Sequence, residues 1–297
     1  VDVRDLEYFL ACCKADSFTA AAREVHIVQS AMSSAISRLE HDLGVPLFDR
    51  TSTRTMLTEH GTVLRDSAQR VLEALQAARD NVAAVSGQVR GTVILGSTLH
   101  TGPLKLASVL ADIRELHPEM IVQLHQSKGG SAGKMEAVRD GSVDIGLIAT
   151  APCSPPHGIE LHHLLSEPLV FVCGPDHPLR GQQQLIVSDL KREHILRFPP
   201  GWGSRAVVDA VLGATKSAFE IAEYGLMFQL IEGGFGTTLM PASAVRGEFA
   251  KGLRALRVDD PRLRWDLAAA VSTERRLTTA ATVLLGALKK RSGVLPA

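Results

Sequence analysis

Gln29, Ser30, Ser33, Ser34, Ser37 and Arg38 fall within ten positions of one another, and between them Met32, Ile36, Leu39 and Leu43 recur at three and four residues. That spacing predicts one helix with a buried apolar stripe and a polar outer face. Glutamine can bond adenine in two places, arginine can reach guanine or phosphate, and serine accepts either partner, so the outer face suits reading base edges in a DNA major groove. A second chemistry-bearing group is the stretch GSTLHTG at Gly96–Gly102. Its Ser97, Thr98, His100 and Thr101 follow an expected strand, where loop hydroxyls and amides converge on a ligand carboxylate. Gln126, Ser127 and Thr150 end two further expected strands, and Phe198, Gly201, Trp202 and Phe235 come from later loops. Together they predict a pocket for a small, singly charged or partly aromatic acid.

Covalent and metal chemistry find little support. Cys153 with His157, and Cys173 with His177, are the available nucleophile–base or ligand pairs, and each lies at a loop or strand end beside proline. Gly233–Gly236 is too short for a dinucleotide fingerprint, and no Gly-x-Ser-x-Gly elbow or phosphate-binding loop occurs. His162 and His163 are adjacent and point to opposite sides of a strand, a poor chelate. No catalytic residue, metal or cofactor is expected, and an enzyme or a plain binding protein built on the second half of the chain is the alternative. Cys12 and Cys13 cannot readily bridge each other, so all four cysteines are expected as thiols in a reducing cytoplasm.

The chain of 297 residues is 45% hydrophobic and 22% charged with a formal net charge of zero, the profile of a soluble globular protein of two or three units. No apolar run is long enough to span a bilayer and no leader-like segment precedes the first helix, so no membrane partner is expected. Residues 1–60 carry six basic and nine acidic side chains, a net of −3. A DNA-binding role for this segment must therefore rest on local placement of charge and on two copies acting together.

The elements that would position these groups fall into three parts. Leu6, Phe9, Leu10 and Cys13 mark a first helix, and Ser17 caps a short alanine-rich second one. The polar-faced helix follows and is stopped by Gly44, and Leu47–Thr58 reads as two short strands around a polar tip that carries Arg50 and Arg54. From Glu59 to about Gln88 runs one long helix, in which Leu64, Val71, Ala78 and Val85 alternate with Ala68, Leu75 and Val82 as a heptad seam. Such a seam needs a partner, either its own chain's core or a second copy, and the dimer is the preferred reading. From Gly91 onward strands alternate with helices, which predicts a mainly parallel sheet covered on both faces. The strands are Thr92–Ser97, Ile121–Gln126, Val143–Ala149, Leu169–Gly174, His194–Phe198, Ala218–Glu223, Gly236–Met240 and Asp266–Ser272.

The stretch Ser17–Gly61, SFTAAAREVHIVQSAMSSAISRLEHDLGVPLFDRTSTRTMLTEHG, resembles the N-terminal domain of LysR-type transcriptional regulators. The matching positions run from Ser17, Phe18 and Thr19 through Gln29, Ser33, Leu39, Glu40, Gly44, Leu47, Phe48 and Arg50 to Thr58 and Gly61. RDGSVDIGLI (Arg139–Ile148), EPLVFVCGPDHPL (Glu167–Leu179) and LIEGGFGTTLMPAS (Leu230–Ser243) extend the resemblance over the rest of the chain. It implies an α/β multidomain protein: a winged helix-turn-helix over residues 1–58, a linker and dimerisation helix over 59–90, and an effector-binding domain over 91–297. That domain would have two subdomains, about 91–162 with 267–297 and about 163–266, resembling type II periplasmic binding proteins. Implied partners are double-stranded DNA, a small organic acid as effector, and further copies of the chain as a dimer or dimer of dimers. Implied DNA contacts are Ser17, Thr19, Gln29, Ser30, Ser33, Ser34, Ser37, Arg38, Arg50 and Arg54. Most members have serine where this chain has Val28 and proline where it has Ser30. Val28 cannot cap a helix, so Ser30 is the alternative cap, which would start the helix two residues later and put Gln29 outside it.

Overall fold

The computed structural model describes residues 1–15, 17–49, 56–84, 89–126, 129–150, 155–214, 219–246 and 250–292. They fall into two compact units, Val1–Ala83 and Ala84–Ala297.

In the first unit, α1 (Val3–Lys14), α2 (Phe18–Glu24) and α3 (Gln29–Leu43) pack on one another, followed by the strand pair β1 (Phe48–Asp49) and β2 (Met56–Leu57) and the long helix α4 (Glu59–Ala84). Asp2 and Ser17 cap α1 and α2, accepting from the amides of Arg4 and Ala20. The core is Phe9, Cys12, Ala21, Met32, Ile36, Leu39, Leu47 and Phe48, with Phe48 set 5.5 Å from Phe9 and 5.2 Å from Phe18. Three residues of the family-like stretch turn out to hold this unit together. Glu40 accepts from the Leu47 amide at 2.8 Å, and the Thr58 hydroxyl donates to the Pro46 carbonyl and receives the Gly61 amide. Gly61 lies so close to the Leu47 carbonyl that a Cβ there would overlap its oxygen.

Two expectations are corrected here. Leu43, the last residue of α3, stays 38% exposed, and Ala35 is buried in the stripe instead. The seam of α4 is split: Ala68 is buried and Leu64 half-buried against the unit's own core, joined by Leu72, while Val71, Ala78 and Val82 are exposed. The first turns of α4 thus complete the core of their own unit, and only the later part of the seam faces outward. Val85, the last seam position, lies outside the described residues.

The second unit is built on β3 (Gly91–Ser97), α5 (Leu106–Leu116), β4 (Met120–Gln126), α6 (Gly130–Asp140) and β5 (Ile145–Thr150). There follow β6 (Ile159–Cys173), β7 (Gln184–Leu185), α7 (Val187–Leu190), α8 (Gly203–Leu212) and α9 (Tyr224–Glu232). The closing elements are β8 (Thr238–Pro241), β9 (Arg254–Val258), β10 (Arg264–Ser272) and α10 (Thr279–Arg291). The sheet order is β4-β3-β5-β10-β6-β9-β7, with β8 also on β6.

The sheet is mixed rather than mainly parallel. β3 runs parallel to β4 and β5, and β7 to β9, but β10 is antiparallel to β5 and β6, and β6 to β8 and β9. The reason is that β10 returns from late in the chain into the gap between β5 and β6. Its small Ala268, Ala269 and Ala270 allow burial on both faces. β6 extends over 15 residues, much longer than expected, because the polar segment before Leu169 pairs with β10 from Ile159↔Ser272 to Pro168↔Arg264. His194–Phe198 and Ala218–Glu223 shrink to single bridges, Ile195↔Thr237 and Arg197↔Glu220. Pro199 and Pro200, which offer no amide, end the first of these at once. Leu284, Leu285 and Leu288 of α10 share one core with Leu106, Val109 and Ile113 of α5 and with the fully buried Trp265.

Candidate functional site

Helix α3 begins at Gln29, directly after Val28, which provides no side-chain cap and is 67% exposed. The Ser30 alternative is thereby overturned: the backbone carbonyl of Val28 accepts from Ala31 and Met32, so the helix is established before Ser30 can cap it. Gln29 therefore lies in the first turn. The turn from α2 is made by His26 in the left-handed region (φ 57°) and closed by the Ile27 amide on the Ala22 carbonyl. Gln29, Ser30, Ser33, Ser34, Ser37 and Arg38 are all exposed, as is Thr19, while Ser17 is half-buried with its hydroxyl oxygen engaged as a cap. Arg38 is less free than its position suggests, because its Nη2 donates to the buried Asp5 carboxylate of α1 at 2.7 Å. Its guanidinium is held at the edge of the face, with 60% of the side chain still exposed. Arg50, Arg54, Ser127, Cys153 and the side chain of Thr150 lie outside the described residues.

In the second unit, aromatic rings from separate loops form a chain. His100 lies 5.8 Å from Tyr224, Tyr224 lies 5.4 Å from Phe198, and Phe198 stacks on Trp202 at 5.8 Å and 18°. Gly130 adjoins Trp202: a Cβ there would sit 2.8 Å from the indole Cδ1 and 2.9 Å from the Gly201 carbonyl oxygen. That same carbonyl accepts the amide of Ala132, which ties the loop to the first turn of α6. His100, Phe198, Gly201 and Trp202 are thus brought together, and Tyr224, at the start of α9, is a member that periodicity alone did not reveal. Ser97 and Thr98 are buried at the end of β3, and the Ser97 hydroxyl donates to the Thr98 carbonyl. Thr101 is half-buried, Gln126 is exposed at the end of the edge strand β4, and Phe235 is 55% exposed and packs edge-on against Phe219 rather than on the cluster.

Behind His100 lies a polar knot. Ser243 donates its hydroxyl to Glu167 at 2.6 Å and its amide to the same carboxylate at 2.8 Å, and its oxygen lies 2.7 Å from His100 Nε2. A serine has one proton, so here the imidazole donates to the serine and not the reverse. A hydrolytic triad needs the opposite polarity, with the carboxylate on the far ring nitrogen, so this trio holds loops together. Burial pushes the Glu167 carboxyl up, but the nearby His100 and the two Ser243 donors outweigh it and hold the group below its ordinary value. Burial, then the Glu167 charge, raises the Tyr224 phenol. His177 uses both ring nitrogens structurally, on Glu193 and the Leu179 amide, and Cys173 beside it is fully buried. Arg197, close to the pocket in sequence, is consumed by Asp209 and the Gly213 carbonyl.

Cys12, Cys13 and Cys173 are free thiols. Burial pushes Cys12 up to about 12 and Cys13 up to about 11. In the native protein at about pH 7.5, iodoacetamide is expected to alkylate these two about a hundredfold more slowly than a free thiol. Labelling at the free-thiol rate, read by mass spectrometry of the intact chain, contradicts that burial.

A three-helix head with a β-hairpin and a third helix whose polar face is exposed, followed in the chain by a mixed α/β body, is the architecture of ligand-responsive helix-turn-helix regulators. Residues 3–62 match the model for the bacterial regulatory helix-turn-helix protein, lysR family, and residues 86–293 match the LysR substrate binding domain. The chain belongs to the LysR family of transcriptional regulators. Among its relatives, an uncharacterised HTH-type transcriptional regulator of Bacillus subtilis, YybE, is 27% identical over 88% of this chain and 87% of its own. The regulator CbbR of Xanthobacter flavus is 28% identical over 97% and 87%. A full-length OxyR variant of Pseudomonas aeruginosa superposes with a TM-score of 0.73 at 21% identity over 98% of this chain and 94% of its own. Full-length CbnR complexed with its target DNA gives 0.67 at 21% over 98% and 100%. LysR regulators bind DNA and small-molecule effectors, and they are not enzymes. No helix among the described residues is long and apolar enough to cross a membrane.

Proposed function

We propose that this regulator reads its operator through Gln29, Ser33, Ser34 and Ser37 on α3 and acts as a dimer or dimer of dimers. The exposed later part of the α4 seam, Val71, Ala78 and Val82, is its pairing surface. The observation that carries this reading is the fully exposed polar face of α3 above a buried stripe. The family's solved DNA complex of CbnR supports it. The net acidity of the head makes pairing of two heads necessary for useful affinity.

The effector is a small organic acid held between Thr98, His100, Phe198 and Trp202. We place the subdomain division at about 162/163 and 266/267, within the ladder that β6 and β10 share. Hydrogen-peroxide-inducible activators occur among the relatives, but Cys12 and Cys13 here are held as protonated thiols, so thiol oxidation at either is not the proposed signal.

The test is a band shift of the full chain on its own upstream DNA at low salt, repeated with Gln29→Ala. The variant is expected to lose about 1–3 kcal/mol of preference for that DNA over random duplex. Equal retention of both DNAs by the parent chain removes the operator-reading proposal.

A further inference from the structure

We propose that Lys134 is the charge-selecting residue of the effector cleft, and that its ammonium group takes the carboxylate of a small monocarboxylic acid entering beside Trp202. This rests on reading the cleft as the effector site. Lys134 lies in the buried face of α6, with Ser131 and Val138, and is 2% exposed. Its stem crosses Gly146 of β5, and its Nζ turns back along the helix to donate to the Gly130 carbonyl at 3.0 Å. One acceptor for three N–H groups leaves a buried cation with no counter-charge.

The titratable groups on neighbouring elements are engaged elsewhere. On β10, Asp266 accepts from Ser166; on β6, His162 lies 3.5 Å from Glu160 and His163 bonds Ser166. Asp144 accepts the Ile94 amide, Arg275 donates to the Val138 carbonyl, and Arg205 and Asp209 of α8 pair with each other. On α6 itself Glu136 pairs with Arg139. None of these forms an ion pair with Lys134 among the described residues.

The ammonium is drawn to the first turn of α6, the positive end of the helix dipole, where a cation is disfavoured and an anion favoured. Two electropositive features therefore meet without an anion at Gly130, the residue that Trp202 and the Gly201 carbonyl cover. The stacked Trp202 and Phe198 offer an apolar wall beside it. A monocarboxylate with an apolar tail answers both features, whereas a neutral amide of the same shape answers only the wall. Burial pushes the Lys134 amine down to about 8, which adds a pH signature: the preference is present while the amine is protonated and fades above that value.

The test titrates the full chain with phenylacetate and with butyrate, each against its primary amide, following tryptophan fluorescence and melting temperature from about pH 7 to 9.5. At least one acid is expected to bind roughly tenfold or more tightly than its amide at pH 7, the size of one charge-assisted hydrogen bond. The ratio is expected to fall toward one at the alkaline end. Lys134→Met should abolish the ratio while melting no lower than the parent. The pH series on the parent chain decides the matter if that variant fails to fold. The proposal is overturned if neither acid is preferred over its amide, if the preference ignores pH, or if Lys134→Met keeps it. Acid and amide binding equally would leave the effector cleft in place and remove only Lys134. Loss of the parent's band shift on upstream DNA is what would remove the regulator reading.

Discussion

Replacing Lys134 with methionine is expected to stabilise the ligand-free second unit by about 3 kcal/mol at pH 7. The amine sits near 8 in the folded chain against an ordinary 10.5, and burial is the cause. Between those two values the unfolded chain holds a proton that the folded chain does not, so stability climbs as pH rises from about 8 to 10.5. Below about 8 both states are protonated and the full penalty of a buried, uncompensated charge is present; above 10.5 it is gone. Methionine fills a similar volume without the charge. The melting temperature of the second unit should therefore rise by about 6–10 °C at pH 7, and the two proteins should converge at the alkaline end. A bound acid should narrow the gap, because it binds the parent more tightly than the variant. Parallel stability curves across the whole pH range would show that the lysine carries no such electrostatic penalty.

How much of this was legible in the sequence depends on how far each signal reaches along the chain. Helix α3 and its exposed polar face follow from a period of three and four residues, which a single helix satisfies by itself. The strands β3 and β5 were equally plain, since each is a short, mostly apolar run next to a helix, and β4 followed from Ile121, Val122 and Leu124 after the α5 helix. The β6–β10 ladder was not, because it joins residues about a hundred positions apart and half of β6 is polar. Leu64 and Ala68 show the same limit from the other side. A heptad seam says that a face is apolar, but not whether the covering surface belongs to the same chain. At the candidate site, His100, Phe198 and Trp202 were found by their chemistry at expected strand and loop ends. Tyr224 and the Ser243–Glu167 pair come from elements that only the fold brings near. Lys134 was discoverable: it lies four residues before Val138 and three after Ser131, on the face a packed helix must bury. A lysine there is a local conflict between residue type and burial, and such conflicts are where function is expected.

Gly203→Ala is expected to be strongly destabilising for the addition of a single methyl group. Gly203 opens α8, and a Cβ at that position would fall on the carbonyl oxygen of Ala149 and within 2.9 Å of the Ala149 side chain. Backbone cannot step aside as a side-chain tip can, so α8 must lift off the end of β5. Alanine favours a helix over glycine by about 1 kcal/mol, but that gain is smaller than the cost of forcing two packed backbones apart, about 3 kcal/mol or more. The net expectation is a loss of about 2 kcal/mol or more, the size of one buried contact destroyed. Gly286→Ala in α10 is the control: nothing lies within 4 Å of the added methyl, so the helix preference alone should act and stability should rise slightly. Because Trp202 immediately precedes Gly203, the displacement must also disturb the stacking on Phe198 and the closure over Gly130. Gly203→Ala should accordingly alter tryptophan fluorescence and weaken acid binding, while the first unit, a separate compact body, keeps its own melting behaviour. A Gly203→Ala chain that melts with the parent and binds the acid equally well would mean that α8 and β5 tolerate separation, and that the cleft does not depend on their contact.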